Sequence, residues 1–203
     1  MNDVKSEFGT VREESGVFDR MFAAVEKVRE RLNRTCHALE SAGIPYAVIG
    51  GNAVAAWVAT IDDGAVRNTR DVDILLREED LDRATEAMLK AGFYREKVMD
   101  VIVFLDGPDG KSSQGIHVLR SQRKVKPEYF SATPRVDQSS VIEGKRIVDL
   151  QELVCMKLNS YRDKDRTHLR DMIQVGLIDS SWPQRLEPEL ASRLQALLDD
   201  PEG

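Results

Sequence analysis

The feature that most constrains the fold is a short apolar strand that runs directly into two glycines. Residues 46–49 form this strand, Gly50 and Gly51 follow it, and residues 52–60 have the composition of a helix. A second apolar strand, over 71–76, begins with the sequence Asp-Val-Asp. Short strands that alternate with helical segments predict an α/β chain built on a central sheet.

The remaining pattern predicts a helix-flanked sheet followed by a helical tail. Apolar spacing and turn residues predict further helices and strands, namely helices over 17–42, 78–91, 150–161, 165–176 and 186–198 and strands over 98–105 and 115–119. Residues 121–148 are expected to be extended, with a short strand near 146–148. We therefore predict an α/β (α+β) fold in three parts: a flexible arm (1–16), a core (17–148) and a C-terminal helical segment (149–203).

Composition excludes several classes of protein. The chain has 203 residues, 41% of them hydrophobic and 32% charged, with a net charge of −6. These values exclude a disordered chain, and no apolar run is long enough to predict a membrane span. The N-terminus lacks the apolar stretch of a signal peptide. Cys36 and Cys155 are expected to be buried thiols, which fits a reducing cytoplasm.

Asp71 and Asp73 are the residues that point most directly to chemistry. Residues two apart in a strand share a face, with α-carbons about 7 Å apart, so the two carboxylates would repel unless a cation lies between them. Carboxylate oxygens suit Mg²⁺ together with phosphate. Gly50 and Gly51 permit close approach of a phosphate, and the helix from Asn52 onward offers free N–H groups. This equipment favours phosphoryl or nucleotidyl transfer.

The sequence resembles the nucleotidyltransferase superfamily in three segments. These are Gly50-Gly51-Asn52-Ala53-Val54-Ala55, then Arg67-Asn68-Thr69-Arg70-Asp71-Val72-Asp73-Ile74, and later a Lys-Leu…Arg-x-Lys-Asp…Asp segment formed by Lys157, Leu158, Arg162, Lys164, Asp165 and Asp171. The nearest group is the minimal bacterial nucleotidyltransferase-like proteins, including the AbiEii-type toxins. The resemblance spans about residues 44–175.

This resemblance implies specific roles. Asp71 and Asp73 would hold Mg²⁺ (or Mn²⁺), and Gly50, Gly51 and Asn52 would hold the β- and γ-phosphates of a nucleoside triphosphate. A hydroxyl acceptor would then attack the α-phosphorus, and pyrophosphate would leave. The implied fold is the mixed sheet of a nucleotidyltransferase.

His117 departs from the family pattern. Active members carry a third carboxylate on a later strand, and the matching strand here, 115–119, has His117 at that place. A neutral imidazole can bind a metal or act as a base but adds no negative charge. Asp100 or Asp106 could substitute. Two hypotheses follow: an active transferase, or a catalytically impaired module that binds a nucleotide or an antitoxin-like partner. A phosphodiester-cleaving enzyme is a third, which the resemblance disfavours.

Three further residues have two interpretations each. Arg70 is either solvated or holds a carboxylate or phosphate. Lys157 either extends its charge to the surface from an apolar helix or contacts the triphosphate. Asp165 either caps the next helix or orients Lys157.

The acceptor is not specified by the sequence. Residues 111–126 contain five basic side chains and no acidic one, which is either a solvated edge or a surface for RNA. RNA, a protein or a small molecule are the candidate acceptors. The apolar face of helix 17–42 could either cover the sheet or pair two chains, so the oligomeric state stays open.

Overall fold

A computed structural model describes residues 11–98 and 101–200. Most of the predicted arm, residues 1–10, lies outside the described residues, and a helix begins at Val11. The α-helices are α1 (Val11–Ser41), α2 (Gly50–Ala59), α3 (Leu81–Lys90), α4 (Leu150–Ser160), α5 (Asp163–Gln174) and α6 (Pro188–Asp199). The strands are β1 (Tyr46–Ile49), β2 (Val72–Leu76), β3 (Tyr94–Val98), β4 (Val101–Leu105), β5 (Ile116–Arg120), β6 (Ser139–Ile142) and β7 (Lys145–Val148).

The seven strands form one mixed sheet in the order β3-β4-β5-β2-β1-β7-β6. Strand β2 pairs antiparallel with β1 and parallel with β5, and β1 pairs parallel with β7. The predicted mixed α/β fold is confirmed. The two strands recognised first in the sequence, β1 and β2, lie at the centre of the sheet.

The core is built around these central strands. All four residues of β1 are buried, and the apolar residues of β2 are at most 1% exposed. Helix α2 packs on β1 and β2 and contacts α4 and α5, whereas α1 packs on α3. Continuous apolar runs are typical of strands covered on both faces. The C-terminal helices contribute to the same core through Leu153, Leu158 and Leu169.

The structure has a hairpin of two strands where the sequence predicts one strand over 98–105. Residues 94–98 form an additional strand, β3, which pairs antiparallel with β4 at the end of the sheet. Its sequence, Tyr-Arg-Glu-Lys-Val, is largely polar, and Tyr94 is 50% exposed. A strand at the edge of a sheet whose side chains face solvent needs no alternation of apolar and polar residues. The hydrophobic pattern of the sequence therefore does not predict this strand.

A second hairpin replaces the single short strand expected near 146–148. Strands β6 and β7 pair antiparallel around Glu143 and Gly144, which have φ values of +48° and +75°. Two consecutive residues with positive φ make the tight turn that matches the twist of a hairpin.

Helix α1 has two different halves. Cys36 and Leu39 belong to the core, so this half covers the body of the protein. Residues 17–24 are all exposed, including Phe18 at 62% and Phe22 at 72%. The described helices include none that is long and apolar enough to cross a membrane.

Candidate active site

Gly50 and Gly51 stand where β1 ends and α2 begins. Gly50 has a φ of +70°, a conformation that favours glycine. A Cβ on Gly50 would lie 2.7 Å from Cγ of Asp73, and a Cβ on Gly51 would lie 2.9 Å from Oγ1 of Thr69. The two glycines therefore let Asp73 and Thr69 lie directly against the start of α2.

Pairing of β2 with β5 brings Asp73 and His117 together. The two residues are direct partners in the parallel register. Nδ1 of His117 lies 3.3 Å from Oδ1 of Asp73 and 3.8 Å from Oδ2 of Asp71. One ligand atom from each of the three side chains lies within 4.8 Å of the others, and this group could hold a metal ion.

The imidazole of His117 is oriented by the loop before β5. Its Nε2 lies 2.9 Å from the carbonyl oxygen of Ser112. Because a carbonyl only accepts, Nε2 carries the hydrogen and Nδ1 faces the carboxylates. A hydrogen bond to Asp73 outweighs burial and raises the pKa of His117. Two carboxylates and an imidazole whose second nitrogen binds a carbonyl are a donor set that fits a divalent metal.

Asp71 lies one residue before β2, not inside the strand as predicted. Oγ1 of Thr69 donates to its Oδ1 at 2.7 Å, and Nδ2 of Asn52 donates to its backbone oxygen at 2.8 Å. Burial favours the neutral carboxyl, but the Thr69 hydrogen bond and the charge of Lys164 outweigh it and lower the pKa of Asp71. Asp71 is thus kept in its charged form and in its place by neighbouring side chains, and strand pairing does not fix its position.

Asn52 and Arg70, two residues predicted to bind the nucleotide, differ in their surroundings. The side-chain amide of Asn52 is engaged by the backbone of Asp71, which leaves its N–H at the first turn of α2 as the group available to an anion. The side chain of Arg70 is exposed, and its carbonyl accepts a 3.4 Å hydrogen bond from Arg31.

Lys157 and Asp165 form a buried pair. Their side chains are 6% and 1% exposed, with Nζ of Lys157 3.2 Å from Oδ1 of Asp165. Oγ of Ser160 and Nε of Arg162 also donate to Asp165, each at 2.7 Å. Burial lowers the pKa of Lys157. For Asp165 burial acts in the opposite direction, but Arg162, Lys157 and Ser160 together lower its pKa to about 2.

Asp165 is not the N-cap of α5, which is Arg162, but as the third residue of the helix it takes part in capping and also binds Lys157. Asp165 stands in the first turn of α5, where its carboxylate accepts from the backbone N–H of Arg162 at 3.3 Å. The same carboxylate binds the ammonium of Lys157, whose charge does not extend to the surface.

Several site residues were not singled out from the sequence. Thr69 has a detectable signal, since a hydroxyl residue two before an aspartate commonly makes a local hydrogen bond. Ser112 acts through its carbonyl, so its residue type carries no signal. Arg162 stands in the Arg-x-Lys-Asp segment but had no assigned role.

The two acidic residues considered as substitutes for a third carboxylate are not part of this group. Asp106 forms ion pairs with Arg31, at 3.4 Å, and with Arg34. Asp100 lies outside the described residues.

The sequence also matches the model of a known protein family. A family model described as an uncharacterised nucleotidyltransferase matches residues 21–197. The chain belongs to this family. Nucleotidyltransferases use a nucleoside triphosphate and, in general, a divalent metal. The matched residues include the glycine turn, the group that could hold a metal ion, and the helices α4 and α5. No curated protein sequence is significantly similar to the chain.

Solved structures are similar to the chain at low sequence identity, and the one with a TM-score above 0.5 shows the same fold. The solution structure of the antibiotic-resistance factor ANT(2'')-Ia is 13% identical, covers 87% of this chain and 92% of its own, and has a TM-score of 0.54. A crystal structure of ANT(2'')-Ia with adenylyl-2''-tobramycin is 14% identical with a TM-score of 0.44, covering 88% of this chain and 99% of its own. The Helicobacter pylori protein JHP933 is 16% identical with a TM-score of 0.39, covering 88% and 93%.

Proposed function

We propose that this nucleotidyltransferase transfers a nucleoside monophosphate from a nucleoside triphosphate to a hydroxyl acceptor, with a divalent metal held by Asp71, Asp73 and His117. The observation that carries the proposal is the convergence of these three side chains within 4.8 Å beside the glycine turn. The metal, when bound, would neutralise charge on the triphosphate and favour departure of pyrophosphate.

The metal is Mg²⁺ or Mn²⁺, and the donor set favours Mn²⁺. Two carboxylates suit either ion, whereas an imidazole nitrogen is a better ligand for a transition metal than for Mg²⁺. His117 also removes one negative charge relative to a triad of carboxylates. We therefore expect Mn²⁺ to bind more tightly than Mg²⁺.

The chain's own residues supply the anion site. Backbone N–H groups at the start of α2, on Gly50, Gly51 and Asn52, face no partner within the helix and carry its positive dipole end. The buried charge of Lys157 interacts with that of Asp73. In the transfer, the acceptor hydroxyl gives up its proton to solvent and its oxygen bonds to the α-phosphorus. The bond from that phosphorus to the oxygen bridging to the β-phosphorus breaks, and pyrophosphate leaves.

The acceptor is RNA, a protein or a small hydroxylated molecule. In the basic segment 111–126, Arg120 pairs with Glu78 at 3.3 Å and Lys126 with Glu128 at 3.9 Å, whereas Arg123 and Lys124 are exposed. Free positive charge at this edge supports an anionic acceptor. A relation to AbiEii-type toxins and a cytoplasmic location belong to the same proposal, since both rest on the resemblance of the sequence and on its free thiols.

A thermal-shift panel tests the proposal. The four ribonucleoside triphosphates are each added with Mg²⁺, with Mn²⁺ or with neither, to the wild type and to Asp71→Asn/Asp73→Asn. A ligand that binds only the native state raises the melting temperature. We expect a metal-dependent shift for at least one triphosphate, abolished in the double variant and preserved in Asp82→Asn, a control at an exposed aspartate of α3. No shift under any condition would reject the nucleotide site.

A second candidate function is nucleotide or partner binding without transfer. The observation that favours it is His117 at the position where a third carboxylate is expected. Metal-dependent stabilisation without pyrophosphate release, across RNA, protein and small-molecule acceptors, would select it. His117→Asp then becomes informative, because a restored carboxylate should increase release if only the missing charge prevents transfer.

A further inference from the structure

Asp71 stands at the end of a loop that strand pairing does not hold. Residues 60–71 link α2 to β2, and their only helical turn is the short one at Asp63–Ala65. The pairing with β5 begins one residue later, where the N–H of Val72 donates to Gly115 at 3.1 Å. Something other than the sheet must therefore fix the Asp71 carboxylate.

Side chains from three helices reach the last part of this loop. Asn52 of α2 binds the carbonyl of Asp71 and Arg31 of α1 binds the carbonyl of Arg70. The third contact is an ion pair with α5. Nε and Nη2 of Arg67 each donate to the carboxylate of Asp171, both at 2.8 Å. Two parallel charge-assisted hydrogen bonds fix both distance and orientation, which a single neutral bond does not.

The two side chains of this ion pair are unequally buried. The Asp171 side chain is 10% exposed and that of Arg67 is 59% exposed. Asp171 lies in a packed part of α5 next to Met172, which is fully buried. Within residues 11–98 and 101–200, Arg67 alone donates hydrogen bonds to the Asp171 carboxylate. Asp171 is thus fixed by the packing of α5, and we infer that it sets the position of Arg67 in the loop.

We propose that Arg67 and Asp171 are a positioning pair for the metal site. Through this pair, α5 fixes the loop that ends at Asp71 and so sets where the Asp71 carboxylate stands relative to Asp73 and His117. The same helix carries Asp165, which binds the ammonium of Lys157. This inference rests on the proposed metal-dependent function.

Mn²⁺ binding to the full chain, followed by the electron paramagnetic resonance of free Mn²⁺, tests the pair without any need for activity. The variants are Arg67→Ala, Asp171→Asn and the conservative Arg67→Lys. Arg135→Ala is the matched control, because Arg135 makes a similar two-bond contact with Asp137 on an exposed loop, at 2.8 and 2.6 Å. Melting temperatures are recorded for every variant.

We expect Arg67→Ala and Asp171→Asn to weaken Mn²⁺ binding about tenfold, the lower end of the range for groups that orient metal ligands. Arg67→Lys should recover part of the affinity, and Arg135→Ala should stay within about twofold of the wild type. A lower melting temperature with Mn²⁺ affinity unchanged would mean that the pair only stabilises the fold, and would overturn the inference. If the wild type itself binds no Mn²⁺, the metal site fails and the inference falls with it, a result distinguishable from the first.

Discussion

The two sides of the candidate metal site are held in different ways. Asp73 and His117, which we call the strand side, stand on paired central strands and are direct register partners. Asp71 and Thr69, the loop side, precede β2 and are held by side chains from α1, α2 and α5. One side is fixed by backbone hydrogen bonds of the sheet and the other by hydrogen bonds of side chains.

This difference indicates how each side can fail. A sheet ladder is cooperative and buried, so the strand side should be insensitive to most single changes except those that alter its packing space. The loop side depends on a few polar contacts, each worth on the order of 1 kcal/mol when neutral and more when charged. The predictions below test this contrast from the largest expected effect to the smallest.

Asp165→Asn should produce the largest loss of stability, through the helices that support the loop side. The change leaves Lys157 buried without its carboxylate, which costs about 3–5 kcal/mol of unfolding free energy. Urea denaturation at pH 7 measures it. Asp163→Asn, at an exposed position two residues earlier, should change the value by less than about 0.5 kcal/mol. Similar losses in the two variants would contradict the role of the buried pair.

The pH dependence of that loss follows from the depressed pKa of Asp165. A carboxyl whose pKa falls from 3.8 to about 2 on folding stabilises the native state fully above 3.8. The contribution is lost as pH falls toward 2. The gap between the wild type and Asp165→Asn should therefore narrow on acidification within this window.

Gly50→Ala should be the most damaging change on the strand side. The new Cβ would meet the Asp73 carboxylate, and the residue has a φ of +70°. We expect a cost of about 1–3 kcal/mol together with loss of Mn²⁺ binding. Gly43→Ala is the control, since Gly43 has a φ of +62° with no atom near its Cβ position, so it reports the backbone cost alone. Retained Mn²⁺ affinity in Gly50→Ala would contradict this packing argument.

Thr69→Val should weaken the loop side and leave the strand side unchanged, with a smaller effect on stability than Gly50→Ala. The change keeps the shape of the side chain and removes the 2.7 Å hydrogen bond to Asp71. We expect a stability loss of about 1 kcal/mol and a several-fold weaker affinity for Mn²⁺, with Asp73 and His117 unaffected. The histidine signals of His117 in nuclear magnetic resonance spectra check the last point, and a large change there would mean that the sides are not independent.

His168→Gln should have the smallest effect, and only in acid. Burial lowers the pKa of His168 on α5 to about 4 from 6.5. Because the unfolded chain binds the proton more strongly, the wild type loses stability as pH falls from 6.5 toward 4. Removing this half-buried group should recover about 0.5–1 kcal/mol at pH 5.5 and nothing from this linkage above pH 7.5. The exposed His37, changed to glutamine, is the control in urea denaturation across pH. An equal recovery in both variants would exclude His168 as the source.

The sequence predicts those features of the protein that depend on residues close together in the chain. Apolar runs predicted the strands β1 and β2, and the spacing of Asp71 and Asp73 pointed to a cation. Resemblance placed His117 opposite them. Each of these inferences needs only period, residue type or a motif, because neighbouring residues in a buried strand have few alternative environments.

The polar hairpin strands were harder to predict for the same reason. Strand β3 and much of β6 have no apolar alternation, so their pairing depends on a neighbour rather than on their own composition. The turn at Glu143 and Gly144 was the available local signal for β6 and β7.

Tertiary structure alone decided how the site is held. Arg67 and Asp171 are separated by 104 residues, and no periodicity links them. The space at Gly50 is taken by Asp73, a contact made by the antiparallel pairing of β1 with β2. The sequence by itself determined which residues could bind a metal and phosphates, because residue chemistry is local. The fold decided which of them stand within reach of one another and what holds them there, because those contacts exist only once distant segments pack together.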